Sequence, residues 1–187
     1  EWNRGAGSEI SGKIWGLLGF GATGRATAKL LSGFTDSILA YDPFAKTIDG
    51  VTLTSLDEVL KKSDVLSIHL PATPETIGLL DANKLALMKN SAILVNVGRG
   101  EVINEIDLES VLRNQTIAGA ALDVRNQEPP KNKRFTDLEN VILTPHIAGI
   151  TKESQAAINR VLVNEIECAL TGQPQRYAVG SVKQAKP

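Results

Sequence analysis

The chain has 187 residues, of which 42% are hydrophobic and only 4% aromatic, with a formal net charge of −1. These values predict an aliphatic core in one domain with at most an appendage, and the lack of any long basic block argues against nucleic acid or an anionic membrane as partner. The single cysteine, Cys168, excludes an internal disulfide and fits a reducing, cytoplasmic setting; no apolar run approaches the ~18 residues of a membrane span, and no secretory signal is visible.

The chain opens without Met, on Glu1-Trp-Asn-Arg4, and is expected to be a fragment or a processed product. Residues 1–12, polar and glycine-containing, read as a linker. The apolar run 14–18 predicts a buried strand. It stops at Gly19-Phe-Gly-Ala-Thr-Gly24 and gives way to a helix over 22–33, rich in Ala and Leu. Strand, G-x-G-x-x-G turn and helix together form the context that a dinucleotide-binding turn requires. Gly19 permits the tight turn, Gly21 lets a pyrophosphate approach the backbone, and Gly24 lets helix and strand pack closely. The free N–H groups and positive dipole end of the helix would then face the phosphates. A second strand, 37–41, ends at Asp42-Pro43. Asp42 lies 18 residues after Gly24, close to the spacing of an acid that holds the adenine ribose hydroxyls.

Thr54, with Asp57 three residues on, predicts an N-cap and a helix that ends near Lys61 and Lys62. Strand 64–70 includes His69 and Leu70, and Pro71 closes it. An irregular helical stretch opens at Thr73, and Asp81 is expected to cap a short helix to Met88. Strand 91–97 leads into Gly98-Arg99-Gly100. Asn104 caps a helix through Leu108, Val111 and Leu112. The Ala- and Gly-rich strand 116–123 ends at Asp123, and residues 125–140 show no clear period. Strand 141–144 ends at Pro145-His146. Thr151 caps a last helix, whose Ile158, Leu162, Ile166 and Leu170 recur at four-residue steps.

Six strands alternating with helical segments predict an α/β fold with a doubly wound parallel sheet. Ligands in such folds bind beyond the carboxyl ends of the strands, where Asp42, His69, Arg99, Asp123 and His146 all fall. The expected organisation is the linker 1–12, a dinucleotide-binding domain over 13–150, and a C-terminal helix and tail over 151–187.

Several of these residues admit two readings. Arg99, between two glycines, is placed either to grip a carboxylate bidentately or to be a surface arginine in a turn. Histidine is the usual proton carrier beside an alcohol oxygen whose carbon exchanges a hydride. His146 is the candidate, and its plainer reading is a hydrogen-bonded structural histidine. His69, inside a strand end, reads as lining of a cofactor site. Glu128, ahead of Pro129-Pro130, is either a solvated loop acid or the carboxylate that fixes the imidazole tautomer. Asp123 ends a buried strand and must find hydrogen-bond donors, from a cofactor carboxamide or from a neighbouring backbone N–H.

Seven motifs in order carry a family likeness: Gly19-Phe-Gly-Ala-Thr-Gly24, Tyr41-Asp-Pro43, His69-Leu-Pro71, Asn96-Val-Gly-Arg-Gly100, Ala121-Leu-Asp-Val124, Glu128-Pro-Pro130 and Thr144-Pro-His-Ile-Ala-Gly149. They resemble those of the D-isomer-specific 2-hydroxyacid dehydrogenases, which include phosphoglycerate dehydrogenase, glyoxylate/hydroxypyruvate reductase and D-lactate dehydrogenase. The resemblance runs from about Gly12 to Pro174. It implies a Rossmann NAD(P)-binding fold with NAD as cofactor. It also implies reversible hydride transfer at C2 of a small 2-hydroxy or 2-oxo acid such as 3-phosphoglycerate, glyoxylate or hydroxypyruvate. In the roles that follow from it, Arg99 binds the substrate carboxylate, His146 is the general acid/base and Glu128 pairs with it. Gly19, Gly21, Ala22, Thr23, Gly24, Asp42, Pro43, His69, Leu70, Pro71, Val97, Gly98, Arg99, Asp123, His146, Ala148 and Gly149 would line NAD.

The resemblance implies no metal and a homodimer. The family's second, substrate-binding domain is missing from this chain, and the last helix is the segment that would return to it. Two residues depart from the family pattern: Arg125 stands where an aromatic is usual, and Thr23 where a branched apolar residue is common. Two other classes fit part of the sequence. A non-enzymatic NAD-sensing scaffold, like the family's corepressors, would keep Arg99, Glu128 and His146, and a turnover assay separates it. An S-adenosylmethionine methyltransferase also uses a glycine turn and a strand-end acid, but the motifs after Asp42 disfavour it.

Overall fold

The structure is a computed structural model that describes residues 7–46 and 49–177, so part of the expected linker and the end of the expected tail lie outside the described residues. The chain divides into two compact units, Glu1–His146 and Ile147–Pro187. The first unit carries one sheet of seven strands: β1 (Trp15–Leu18), β2 (Ile38–Tyr41), β3 (Thr52–Leu53), β4 (Val65–Ile68), β5 (Ile93–Asn96), β6 (Gly119–Leu122) and β7 (Val141–Leu143). Its helices are α1 (Ala22–Leu31), α2 (Leu56–Lys62), α3 (Ala82–Leu85) and α4 (Glu105–Arg113), with a 3-10 turn at Gly100–Val102. The second unit contains α5 (Lys152–Leu170).

All the strand pairs are parallel, in the order β3-β2-β1-β4-β5-β6-β7. The chain starts at β1, winds outward through β2 and β3, then crosses to the other side of β1 and winds outward again through β4 to β7. This is the doubly wound parallel sheet expected from the sequence, with one strand more. The extra strand, β3, pairs Thr52 with Leu39 and Leu53 with Ala40, and two residues are too few to show a period of two.

Leu17 and Leu18 are both fully buried, but in different apolar clusters. Leu17 packs with Phe20, Ile38, Ala40 and the α1 residues Ala28 and Leu31. Leu18 packs with Val59 and Leu60 of α2, Leu85 of α3, and Leu108 and Leu112 of α4. Successive strand residues point to opposite faces, so the central strand is covered on both, and its sequence is a continuous apolar run for that reason. At Gly16 a Cβ would lie 2.0 Å from Ser63 Oγ and 2.7 Å from Val59 Cγ1, so α2 rests directly on the bare strand.

Three helices begin at the caps legible in the sequence. Asp81 accepts from the Lys84 N–H at 2.9 Å, Asn104 from the Ile106 and Asp107 N–H groups, and Thr151 from the Ser154 N–H at 3.0 Å. The cap of α2 is Ser55, accepting from the Glu58 N–H at 3.3 Å, and not Thr54. The Thr54 N–H donates to Ala40 O at 3.0 Å, so the β2–β3 ladder claims that residue and the helix starts one position later. α3 stops at Leu85, before Met88, α1 stops at Leu31, and the stretch from Thr73 consists of turns.

Removing a buried side chain from the larger cluster should cost far more than removing an exposed one. Leu94, 0% exposed, when truncated to Ala should destabilise the chain by about 2–5 kcal/mol, while Leu30→Ala, at a site 74% exposed, should stay within about 0.5 kcal/mol. Urea unfolding monitored by circular dichroism reads the difference, and equal midpoints would contradict this core.

Candidate active site

β1 is followed by Gly19, whose φ of +90° is a left-handed value that glycine adopts without penalty. A Cβ at Gly19 would lie 2.9 Å from the His69 carbonyl group, and one at Gly24 would lie 2.2 Å from Gly19 O. Gly21 is different: no atom stands within 4 Å of where its Cβ would be. It is the N-cap of α1 and carries no side-chain cap, so the free N–H groups of the first turn, which includes Ala22 and Thr23, have open space before them. Such a bare helix start is a ready anion cradle, and it fits a pyrophosphate.

Asp42, following β2, closes this turn. Its Oδ2 accepts the Phe20 N–H at 2.8 Å and its Oδ1 accepts the Phe44 N–H at 2.9 Å. Each carboxylate oxygen has a second lone pair, so the group can hold the turn and still accept ribose hydroxyls. Beside it opens a cleft of about 640 Å³ lined by residues that include Gly21, Arg25, Asp42, Pro43, Leu70 and Pro71, within the ~300–1,000 Å³ usual for cofactor sites. His69 follows β4. Its ring is half-buried and hydrogen-bonded to Ser67 Oγ at 3.0 Å, and burial pushes its pKa below the ordinary imidazole value. The ring is not among the groups lining this cleft, but its backbone is what Gly19 rests on.

Beyond β5, the loop of Val97, Gly98 and Arg99 is tied down by Asn96, a residue whose part the sequence did not disclose. Asn96 is 1% exposed. Its Oδ1 accepts the Gly98 N–H and its Nδ2 donates to the Arg99 carbonyl, both at 3.0 Å. A Cβ at Gly98 would lie 2.9 Å from Leu70 O. The Arg99 side chain is exposed, with Nη1 donating to Gly98 O.

Beyond β6 and β7, the structure joins Asp123, Glu128 and His146. The His146 N–H donates to Asp123 O at 2.8 Å, and Thr144 Oγ1 donates to Asp123 Oδ1 at 2.5 Å. The ring Nδ1 of His146 lies 2.6 Å from Glu128 Oε2. Glu128 Oε1 in turn accepts the Arg125 N–H at 2.9 Å. Burial raises the Glu128 pKa, but its bonds with His146 and the Arg125 N–H outweigh that, and the carboxyl is held below its ordinary value of 4.5. An anionic Glu128 makes Nδ1 the protonated nitrogen, which leaves Nε2 as a base. These residues border a pocket of about 430 Å³ that also takes in Pro129, Pro130, Leu143 and Pro145.

Arg125 is not a loose surface charge. It is 8% exposed and forms a forked pair with Glu105. Ala148 and Gly149 belong to the second unit, where Gly149 O accepts the Ser154 hydroxyl at 2.7 Å. Among the described residues no His, Cys, Asp and Glu cluster could hold a metal, and no helix is long and apolar enough to cross a membrane.

Comparison with known proteins agrees with this geometry. Residues 1–148 match the family model for the D-isomer specific 2-hydroxyacid dehydrogenase, NAD binding domain. Glycerate dehydrogenase of Methylorubrum extorquens is 39% identical over 89% of this chain and 53% of its own length. Glyoxylate reductase of Thermofilum pendens is 42% identical over 89% of this chain and 51% of its own length. The chain thus spans about half the length of these relatives. The crystal structure of D-lactate dehydrogenase with NAD+ from Lactobacillus jensenii superimposes with a TM-score of 0.87 at 30% identity, over 94% of this chain and 58% of that one. With the glycine turn, the strand-end acid and the matched family model in agreement, the chain belongs to the D-isomer-specific 2-hydroxyacid dehydrogenases, as an NAD-binding domain of Rossmann type.

Proposed function

We propose that this chain is the coenzyme part of an oxidoreductase that transfers hydride reversibly between NAD(H) and C2 of a small 2-hydroxy or 2-oxo acid, of the class of glycerate, glyoxylate, hydroxypyruvate or 3-phosphoglycerate. The observation that carries it is the Glu128 carboxylate, held by one backbone N–H and engaged with His146 Nδ1 at the end of the sheet. A tautomer fixed in that way is what a proton carrier on an alcohol oxygen requires.

NAD, when bound, supplies the hydride acceptor or donor. The remaining roles fall to residues of the chain. Gly21 and the first turn of α1 hold the phosphates, Asp42 the ribose hydroxyls, and Pro43, Leu70 and Pro71 the apolar side of the cleft. Arg99 grips the substrate carboxylate and draws charge toward the carbonyl oxygen. In the oxidising direction His146 Nε2 takes the hydroxyl proton as the C2 hydride leaves, and C2–OH becomes C2=O. In the reducing direction it returns the proton to that oxygen. Residues 151–187 would return to a second, substrate-binding domain, after a coenzyme domain over 13–150. A homodimer in the cytoplasm, without nucleic acid or membrane as partner, goes with this function.

NADH should bind the chain more tightly than NADPH, because Asp42 faces the position of a 2′-phosphate and like charges there cost up to several kcal/mol. Asp42→Ala should not simply convert the preference, since it also takes the acceptor from the Phe20 N–H; affinity for NADH should fall with it. Calorimetric titration of the unaltered chain and the variant with both cofactors decides, and equal dissociation constants of the unaltered chain for NADH and NADPH at low salt would sink the assignment. In a protein that carries this chain with its substrate domain, His146→Ala should lower kcat on the order of 10²–10⁴-fold and leave the NADH dissociation constant unchanged. Near-normal turnover would remove His146 from the mechanism. The 187-residue chain alone should bind NADH yet fail to reach the ~1–10³ s⁻¹ of complete enzymes with glyoxylate, hydroxypyruvate or phosphohydroxypyruvate in an absorbance assay. Holding a substrate in line takes more than one anchor.

A further inference from the structure

We propose that Glu105, the first residue of α4, is a positioning residue that aims Glu128 at His146 by fixing the backbone of Arg125; the proposal rests on the proton-carrier role of His146 given above. Three hydrogen bonds run from one short segment to the Glu105 carboxylate. Arg125 Nε donates to Oε1 at 2.9 Å, Arg125 Nη2 to Oε2 at 3.0 Å, and the Asn126 N–H to Oε1 at 2.9 Å. The Arg125 guanidinium also lies over the ring of Phe135, 4.9 Å from its centroid, and Phe135 is 1% exposed. Side chain and backbone of this segment are therefore pinned together, and the Arg125 N–H is the group that holds Glu128 Oε1 at 2.9 Å. The Glu105 carboxylate thus holds the Arg125 side chain and the next backbone N–H, the Arg125 N–H holds one oxygen of Glu128, and the other oxygen meets His146 Nδ1.

The same segment also touches the loop that carries Arg99. Gly100 lies against the Arg125 carbonyl so closely that a Cβ there would stand 2.0 Å from its carbon and 2.3 Å from its oxygen. Glu105 follows Arg99 and Gly100 through the 3-10 turn into α4. The Gly100 contact and the Glu105 bonds together join the chain after Arg99 to the loop that carries Glu128. A buried ion pair is a poor device for stability alone, because desolvating both charges offsets most of their attraction. Its fork and its third bond to the Asn126 N–H serve orientation.

The chain has only two histidines, so ring 15N spectra of the labelled protein report the His146 tautomer directly, with His69 as internal control. In the unaltered chain His146 should be in the Nδ1–H form. Glu105→Gln keeps the size of the side chain and breaks the fork. It should mix the His146 tautomers while the His69 signals stay in place and the chain remains folded by circular dichroism. Arg125→Met keeps the backbone N–H and the contact with Phe135 but loses the pair. It should do the same, and it decides the matter should Glu105→Gln fail to fold. With the substrate domain present, either change should lower kcat roughly 10–100-fold, the usual effect of removing a group that orients a functional side chain, and leave NADH affinity within twofold. A His146 tautomer and kcat unchanged in a folded variant overturn the proposal. A His146→Ala protein with normal turnover would overturn the catalytic role instead, and the spectra would still decide what Glu105 does.

Discussion

Backbone packed directly against backbone is the constraint on which the site depends. The loops that leave β1, β4, β5 and β6 touch one another at positions with no room for a side chain: Gly19 on His69, Gly98 on Leu70, Gly100 on Arg125. At each of them a methyl group would have to push main chain aside, and main chain moves only with the strand that feeds it. Such overpacking usually costs about 1–3 kcal/mol, but the larger effect here is geometric. Strand register fixes where each loop leaves the sheet, and these contacts pass that register on to Arg99, Asp123 and Glu128. The polar groups then need few bonds of their own to be well placed.

Much of this was legible in the chain. The glycine turn, Asp42, the order of strands and helices, and the caps Asp81, Asn104 and Thr151 all follow from spacing and local chemistry, because those signals lie within a few residues of each other. What escaped depends on neighbours distant in sequence. β3 exists because β2 offers it an edge. The cap of α2 passes from Thr54 to Ser55 because the sheet takes the Thr54 N–H. The second task of Asp42, holding the Phe20 N–H, joins residues 22 apart, and the clamp of Asn96 on the Arg99 loop needs the strand to end where it does. Arg125, read from the chain as a departure from the family pattern, finds Glu105 across 20 residues, and no local pattern announces that pair.

The ion pairs along α4 grade from open to shielded. At the outer end of α4, Arg113 pairs with Glu109 and with Asp137, the latter open enough for salt to screen it, while Arg134 reaches from Glu109 toward Glu105. At the inner end Arg125 and Glu105 meet with little exposure, where screening is weak, and Arg134 stands 3.8 Å from the same carboxylate as a second cation. One helix therefore carries screened charges at its far end and a shielded, shared cluster at the end next to the strand loops.

The sheet also ends well at its two sides. β3 offers two residues at one edge, and β7 offers three at the other before Pro145, which has no N–H to give. A strand from another chain would find too short a ladder at either side to repay its ordering, even though β7 bares Ile142. Proteins commonly blunt their open edges by such brevity. A parallel sheet is a slow-forming and exposure-prone architecture, and in this one each edge strand is among the shortest of the seven.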